Sequence, residues 1–337
     1  MSEPSTAADK PWPSVSFLLP VLNGGTLLKG LLGSIRAQDY PGPVEIIMAD
    51  GGSSDDSVRI AKEFGAIVVP NPHVLAEPGA VVAHSHATGE ILVYAAADNG
   101  LPRRDWLRLI VQPFLDRPSI MGVYTQIVPA PGDNSFTEYY CRLHVEPFTW
   151  FVYGNAANPR NFHSEYRIKH QTDAYVIYDF TPMTHPVVAL AQGFAVRRSF
   201  ERRPGYDNDD ILPVIQMMEE GSEIAYVPEA GVFHHHLSSF RHYVAKYRWR
   251  INNSLYTNNA GFDNRRRFLT RRRRIRKYLF AAYGATLILP LLDGIWLALR
   301  ERRWCMLWHA PASTALSWIA VTAYARKLLS WRRTQIV

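Results

Sequence analysis

Residues 44–70 read VEIIMADGGSSDDSVRIAKEFGAIVVP. The stretch opens with a short apolar run ending on a carboxylate, Asp50. It passes through two glycines and a Ser/Asp cluster into SVRIAKEF, whose apolar residues recur at helical spacing. Gly65 stops that helix and a second apolar run, 66–70, follows. Strand, helix and strand in so short a span predict two parallel neighbours in one sheet.

Outward from this unit the pattern repeats. SVSFLLPV (14–21) reads as a buried strand, and LLKGLLGSIRAQ (27–38) as a helix with Leu27, Leu28, Leu31, Leu32 and Ile35 on one face. Further on, ILVYAAAD (91–98) reads as a strand and RDWLRLIVQPFLD (104–116) as a helix. This alternation predicts a parallel α/β sheet covered on both faces, with ligands at the carboxyl ends of its strands. Those ends read PVLNGG, ADGGSSDDS and AAADNG, which directs Asp50 and Asp98 into one crevice. A carboxylate followed by Gly-Gly-Ser-Ser permits close backbone approach to a ligand, whereas Ser54 and Asp55 suit a turn that caps the next helix.

Composition narrows the function classes. With 337 residues, 47% apolar, the chain supports a sizeable core and is not a disordered segment. Its two cysteines, Cys141 and Cys305, exclude a disulfide scaffold and a zinc finger. The net charge of +7 is local: nine of the 37 Lys and Arg lie between Arg265 and Lys277 without an acid, leaving 28 against 30 acids elsewhere. Directly after this run comes YLFAAYGATLILPLLDGIWLAL (278–299), as one helix about 33 Å long, near the thickness of a bilayer core. A second apolar stretch, WCMLWHAPASTALSWIAVTAYA (304–325), follows, with Trp296, Trp304, Trp308 and Trp331 near the ends of the two stretches. The pattern predicts a membrane-associated helical hairpin, spanning or lying in the interface, with residues 265–277 on anionic lipids and the preceding domain on the cytoplasmic face. A basic run placed against an apolar span argues against a nucleic-acid partner. Residues 1–13 are polar and proline-containing, which predicts a flexible leader and no signal peptide.

Six pieces in order resemble the family 2 glycosyltransferases of the GT-A fold. They are Pro20-Val21-Leu22-Asn23; Ser34, Ile35, Gln38, Tyr40 and Pro41; Asp50 to Asp55; Ala87-Thr88-Gly89-Glu90 before the strand ending in Asp98; Gly193 to Phe200 with Gly205-Tyr206-Asp207 and Asp209-Asp210; and Val227 to Ala230 running into His234. The resemblance covers residues 14–240. It implies a Rossmann-like nucleotide-sugar-binding mixed sheet flanked by helices, and inverting transfer from a nucleotide-diphosphate sugar, UDP-sugar favoured.

Residue by residue, the resemblance puts Pro20, Val21, Asn23, Asp50, Gly51, Ala97 and Asp98 along the nucleotide sugar. A divalent cation, Mg2+ or Mn2+, falls to Asp98 and His234, with His236 on the same face of an extended segment. The family's Asp-x-Asp becomes Ala96 and Asp98 here. The catalytic base becomes Asp210, with Asp209 its partner, before the helical ILPVIQMMEEG. An Asp pair there is equally a helix cap, and the two readings are compatible. Gly193, Phe194, Trp150 and Tyr153 are the acceptor candidates. Arg248-Trp249 resembles the end of a Gln-x-x-Arg-Trp element whose Gln position is Ala245, which leaves Arg248 as a diphosphate ligand without implying processive synthesis.

A retained base implies a hydroxyl acceptor, and with the anchor a lipid-borne or glycan one. The alternatives are a degenerate nucleotide- or glycan-binding domain, suggested by Ala96, and a polyprenyl-phosphate glycosyltransferase. The expected division is a GT-A domain over 14–262, with a nucleotide-sugar half (14–130) and an acceptor half (131–262), then a polybasic linker (263–277) and the helical hairpin (278–337).

Overall fold

The computed structural model describes residues 11–235, 237–257 and 265–334. In chain order the elements are β1 (Val15–Val21), α1 (Gly25–Arg36), β2 (Val44–Asp50), α2 (Ser57–Glu63), β3 (Ile67–Pro70), α3 (Ala76–Ser85), β4 (Ile91–Tyr94), β5 (Asn99–Gly100), α4 (Trp106–Asp116), β6 (Ile120–Tyr124) and β7 (Ile127–Val128). Next come α5 (Ser135–Leu143), α6 (Pro147–Tyr153), β8 (Ile168–Gln171), β9 (Val176–Tyr178), β10 (Phe194–Arg197), α7 (Leu212–Glu219), β11 (Glu223–Tyr226), β12 (Val232–His234) and α8 (Phe240–Thr257). Three helices close the described chain: α9 (Arg271–Ala285), α10 (Ile288–Glu301) and α11 (His309–Thr334).

These elements form two compact units. One holds the chain up to Val128 together with Pro159–His235; the other holds Pro129–Asn158 and the chain beyond His235. The second unit thus takes residues from the middle of the chain as well as its end, which differs from the consecutive division read from sequence.

The first unit is built on a nine-stranded sheet in the order β3-β2-β1-β4-β10-β6-β11-β9-β8. Strands β3, β2, β1 and β4 are parallel, as the strand and helix alternation requires. β10 enters antiparallel between β4 and β6, which makes the sheet mixed. Phe17, Leu19, Ile46, Met48 and Val93 pack against Leu28, Leu31, Leu32 and Ile35 of α1. Leu27, expected on that face, is 43% exposed. On the other face, a Cβ at Gly79 of α3 would stand 3.0 Å from the Cβ of Pro20, so helix and strand meet closely.

Two of the sequence motifs hold the sheet rather than a ligand. At the amino ends of the strands, Glu45 accepts hydrogen bonds from Ser16 Oγ at 2.5 Å, Thr88 N at 2.7 Å and Gly89 N at 3.2 Å. Burial pushes the Glu45 carboxyl up, but these donors outweigh it and leave it below the usual range. Gln38 accepts from Leu107 N at 2.9 Å and donates to the Arg103 carbonyl at 2.8 Å, pinning α1 to the loop that follows Asp98.

The second unit packs α5, α6 and α8–α11 around an aromatic core that includes Phe136, Tyr139, Tyr243, Phe280 and Tyr283. A buried polar chain runs through it: Tyr139 Oη meets His309 Nδ1 at 3.1 Å, His309 Nε2 meets Tyr283 Oη at 3.1 Å, and Tyr283 Oη donates to Asp293 at 2.7 Å.

The expectation of one continuous helix over 278–299 is corrected here. The chain breaks at Thr286 and Leu287, and α9 and α10 meet at 99°. Pro290 supplies the reason, because in an unbroken helix its ring would clash with the Thr286 carbonyl, while in the first turn of α10 it is tolerated. Among the described residues no single helix is long and apolar enough to cross a membrane; the bent pair passes that test only when taken together. The basic run is likewise more than a linker, since α9 begins at Arg271, with Arg273 buried over the Tyr153 ring at 4.5 Å and Arg276 over Phe151 at 5.0 Å.

Candidate active site

Three loops close on one another at the carboxyl ends of β1, β2 and β4. Asn23, held at φ +54°, accepts from Ser54 N through its Oδ1 at 2.8 Å, and its own N–H donates to Ser53 Oγ at 2.9 Å. Gly24 N donates to Ser57 Oγ at 2.8 Å, and Gly51 N to the Val21 carbonyl at 2.8 Å. A Cβ at Gly24 would stand 3.1 Å from that of Ala97, which brings the third loop against the first. Gly51 leaves room for another backbone, since a Cβ there would lie 3.0 Å from the Val74 carbonyl. The Val21 side chain is buried, its Cγ1 3.2 Å from where a Cβ at Gly24 would stand, so it packs beneath the first loop.

Asp50 ends β2 and remains partly exposed. Its carboxylate accepts from Ser53 N at 3.1 Å and Gly52 N at 3.3 Å, so it shapes the Gly-Gly-Ser turn from which it projects. Asp55 caps the following helix through Ser57 N at 3.0 Å and Ser57 Oγ at 2.5 Å, as its neighbourhood in the sequence suggests.

The fourth strand is shorter than the apolar run predicts because Asn99 folds the chain back. Its Oδ1 accepts from Ala96 N at 2.8 Å, and its Nδ2 donates to Gln192 Oε1 at 2.6 Å. Asn99 and Gly100 form β5, which pairs antiparallel with β12, His234 lying opposite Asn99. His235 N donates to the Asp98 carbonyl at 2.8 Å. The outcome is that His234 Nε2 lies 3.5 Å from Asp98 Oδ2, with the histidine 8% and the aspartate 25% exposed at their side chains. A carboxylate and an imidazole so placed are an oxygen and a nitrogen donor of the kind that Mn2+ accepts. Among the described residues no third His, Cys, Asp or Glu joins them. A cation held there would complete its shell from phosphate oxygens and water. His236 lies outside the described residues.

Asp209 and Asp210 precede α7 and differ in use. Asp209, 4% exposed, caps the helix, accepting from Ile211 N at 2.8 Å and Leu212 N at 2.9 Å. Asp210 is partly exposed, and its carbonyl accepts from Leu190 N at 2.6 Å. The turn from Leu190 to Gly193 ties this pair to the metal-type pair, through Gln192 to Asn99 and through Gly193 N to the Tyr94 carbonyl at 2.8 Å. Gly193 takes φ +83° there, and a Cβ would meet Trp106 and Val232, each at 2.9 Å.

The remaining candidates divide between the two units. Phe194 is buried, its ring stacked on Tyr124 at 6.2 Å. Trp150 packs edge-on to His309 at 4.6 Å and Tyr153 lies beneath Arg273, all in the second unit. Arg248 belongs to that unit as well and lines a cavity there. Sequence reading passed over Asn99 and Gln192, and over a cluster at the end of β4. In it Tyr94 Oη meets His84 Nδ1 at 3.1 Å and Arg202 lies over the Tyr94 ring at 5.3 Å. Burial, and then the Arg202 guanidinium, hold His84 below the usual imidazole range. Asn99 directly follows Asp98 and was the one available signal; nothing in the sequence marks Gln192 or Arg202.

Residues 16–183 match the family model described as Glycosyl transferase family 2. The O-antigen chain rhamnosyltransferase RfbN of Salmonella typhimurium is 24% identical over 235 residues, 66% of each chain, so this chain spans about two thirds of that relative's length. The mannosyltransferase PcManGT from Pyrobaculum calidifontis, solved in complex with GDP-Man and Mn2+, superposes with a TM-score of 0.51 at 20% identity, over 96% of this chain and 91% of that one. That likeness is one of fold: a mixed α/β sheet with flanking helices and a C-terminal helical region. Glucosyl-3-phosphoglycerate synthase from Mycobacterium tuberculosis, in complex with UDP, gives a TM-score of 0.47 at 21% identity over 74% of this chain and 81% of that one.

Proposed function

From the premise that this chain carries a glycosyl transferase family 2 domain in residues 16–183, we propose that it moves a sugar from a nucleotide-diphosphate donor to a hydroxyl with inversion. The observation that carries the reading is the Asp98–His234 pair at 3.5 Å, assembled by the two-residue pairing of β5 and β12 at the end of the sheet.

In this reading the glycine turns of the first two loops receive the nucleotide, and Asp50 accepts from an imide N–H of the base. Asp98 and His234 hold a divalent cation. Bound there, the cation would neutralise charge on the diphosphate leaving group. Asp210 takes the proton of the acceptor hydroxyl as it attacks the anomeric carbon. Asp209 has both its cap acceptances on Oδ1 and fixes the backbone from which Asp210 projects. A base in this position favours a hydroxyl over an acceptor that is already ionised, such as a polyprenyl phosphate. The Salmonella relative is named for rhamnosyl transfer to an O-antigen chain, so a glycan acceptor and a hexosyl or deoxyhexosyl donor are the classes to try first.

The second unit supports membrane attachment at the interface. α10 buries Pro290, Gly294, Leu297 and Ala298 and turns Ile288, Leu292, Ile295, Trp296 and Leu299 outward, each at least 42% exposed. Arg271, Arg272 and Arg274 at the start of α9, and Arg300, Arg302 and Arg303 at and just after the end of α10, are exposed as well. An apolar helix face flanked by exposed arginines suits a helix lying in the headgroup region of an anionic leaflet. Access to nucleotide sugars favours the cytoplasmic side.

A panel of UDP- and GDP-sugars read by thermal shift with Mn2+ tests the donor site, because a bound donor stabilises the fold by mass action. Asp98→Ala is expected to remove the Mn2+-dependent part of the shift. Asp210→Asn is expected to keep the shift and to lower the slow release of nucleotide to water about 100-fold or more. Ala96, whose N–H serves the Asn99 turn and whose side chain offers no ligand, motivates the second reading of a binding domain without transfer. Donor binding with no release by the unaltered protein would select it.

A further inference from the structure

The second unit contains a cavity of about 410 Å³ between α8 and α11, within the usual size of a small-ligand site. On α8 it is lined by positions 244, 248 and 252, one helical face, and on α11 by positions 315, 318, 319, 322, 323 and 326, again one stripe. Tyr243 Oη donates to the Ala312 carbonyl at 3.1 Å, which joins the beginnings of both linings, and since positions up to 252 and up to 326 line the same cavity, the two helices run away from that bond together. The cavity is therefore graded. Val244, Trp318 and Ile319 stand towards one end, and Arg248, Asn252 and Arg326 towards the other. Both arginines are exposed, and Trp318 is 53% exposed.

An apolar trough leading to two guanidinium groups and an amide matches a molecule with a hydrocarbon chain and one anionic head. We propose that this cavity seats the phosphate and the adjoining part of one acyl chain of a single phospholipid whose remainder stays in the bilayer, the chain along Val244, Trp318 and Ile319 and the phosphate at Arg248 and Arg326. The proposal rests on the reading of the second unit as membrane-attached, and it adds to general adhesion a stoichiometric site. A guanidinium pair takes phosphate oxygens more strongly than a neutral hydroxyl, so the head, and not the chain alone, decides occupancy.

The test uses the full chain purified in a nonionic detergent and examined by native mass spectrometry with three probes: phosphatidylglycerol, diacylglycerol and glycerol phosphate. The expected result is retention of one phosphatidylglycerol, with diacylglycerol and glycerol phosphate each at least tenfold weaker. Arg248→Gln with Arg326→Gln is expected to weaken phosphatidylglycerol at least tenfold, and Arg248→Lys to restore part of it in the Arg326 background. Equal retention of all three probes, equal binding of glycerol phosphate and phosphatidylglycerol, or wild-type retention by the folded double variant overturns the site. Should the double variant fail to fold, the three-probe comparison on the unaltered chain decides alone. Flotation on anionic vesicles separates the two readings: flotation without a retained lipid sinks the site and keeps the attachment, whereas a retained lipid without flotation does the reverse.

Discussion

Asp209 and Asp210 separate by what their atoms touch. Asp209 Oδ1 holds two backbone N–H groups at the start of α7, so Asp209→Ala is expected to cost about 1 kcal/mol or more of stability, read as a lower melting temperature. Asp210→Asn keeps the backbone carbonyl that accepts from Leu190 N and is expected to leave the melting temperature in place while transfer is lost. Glu223 gives a pH prediction at the same scale. Burial pushes its carboxyl up, but Ser119, Lys169 and Arg117 outweigh burial and hold it down to about 2. An unfolded glutamate titrates near 4.3, so the native advantage is complete above about pH 4.3 and disappears as the pH falls through about 2. With half of Lys169 exposed to solvent, the contribution is on the order of 2 kcal/mol at neutral pH. Denaturant titration of Glu223→Gln should show that deficit at pH 7 and none near pH 2.

The Leu190–Gly193 turn is the element on which the two halves of the candidate site depend. Gly193→Ala forces a side chain onto Trp106 and Val232 at φ +83°, with an expected loss of about 2 kcal/mol or more in chemical denaturation. Elements of this kind mark the limit of sequence reading. The strands at 15–21 and 44–50 were legible because their apolar runs are bounded by turn residues, and Gly65 takes the positive φ that its place after a helix suggests. The apolar run of β10 carries no mark of strand direction, so its antiparallel insertion was invisible to periodicity. The Asp98–His234 pair depends on a two-residue strand pairing too short to leave a pattern, and only the family resemblance pointed to it. Pro290 was present in the apolar run after the basic cluster, and it ends the continuous helix that hydropathy alone suggests.

At the scale of the whole molecule, exposed large apolar side chains concentrate in the second unit. Leu299, Trp304, Ile288 and Tyr278 are 66% to 77% exposed, whereas among the described residues of the sheet-bearing unit no such side chain exceeds 57%. The expected outcome is flotation of the full chain with vesicles containing anionic phospholipid, persisting in 1 M salt because apolar burial is not screened, with weaker recovery on neutral vesicles. Release into the aqueous fraction at high salt would count against an inserted helix face. The interrupted course of the sheet-bearing unit has a practical consequence for making its fragments. Ending translation after His235 would still carry residues 129–158, whose Phe136, Tyr139 and Tyr140 would then lack the helices that shelter them. A water-soluble catalytic piece therefore requires an internal excision as well as a stop codon, and a simple C-terminal truncation is headed for inclusion bodies.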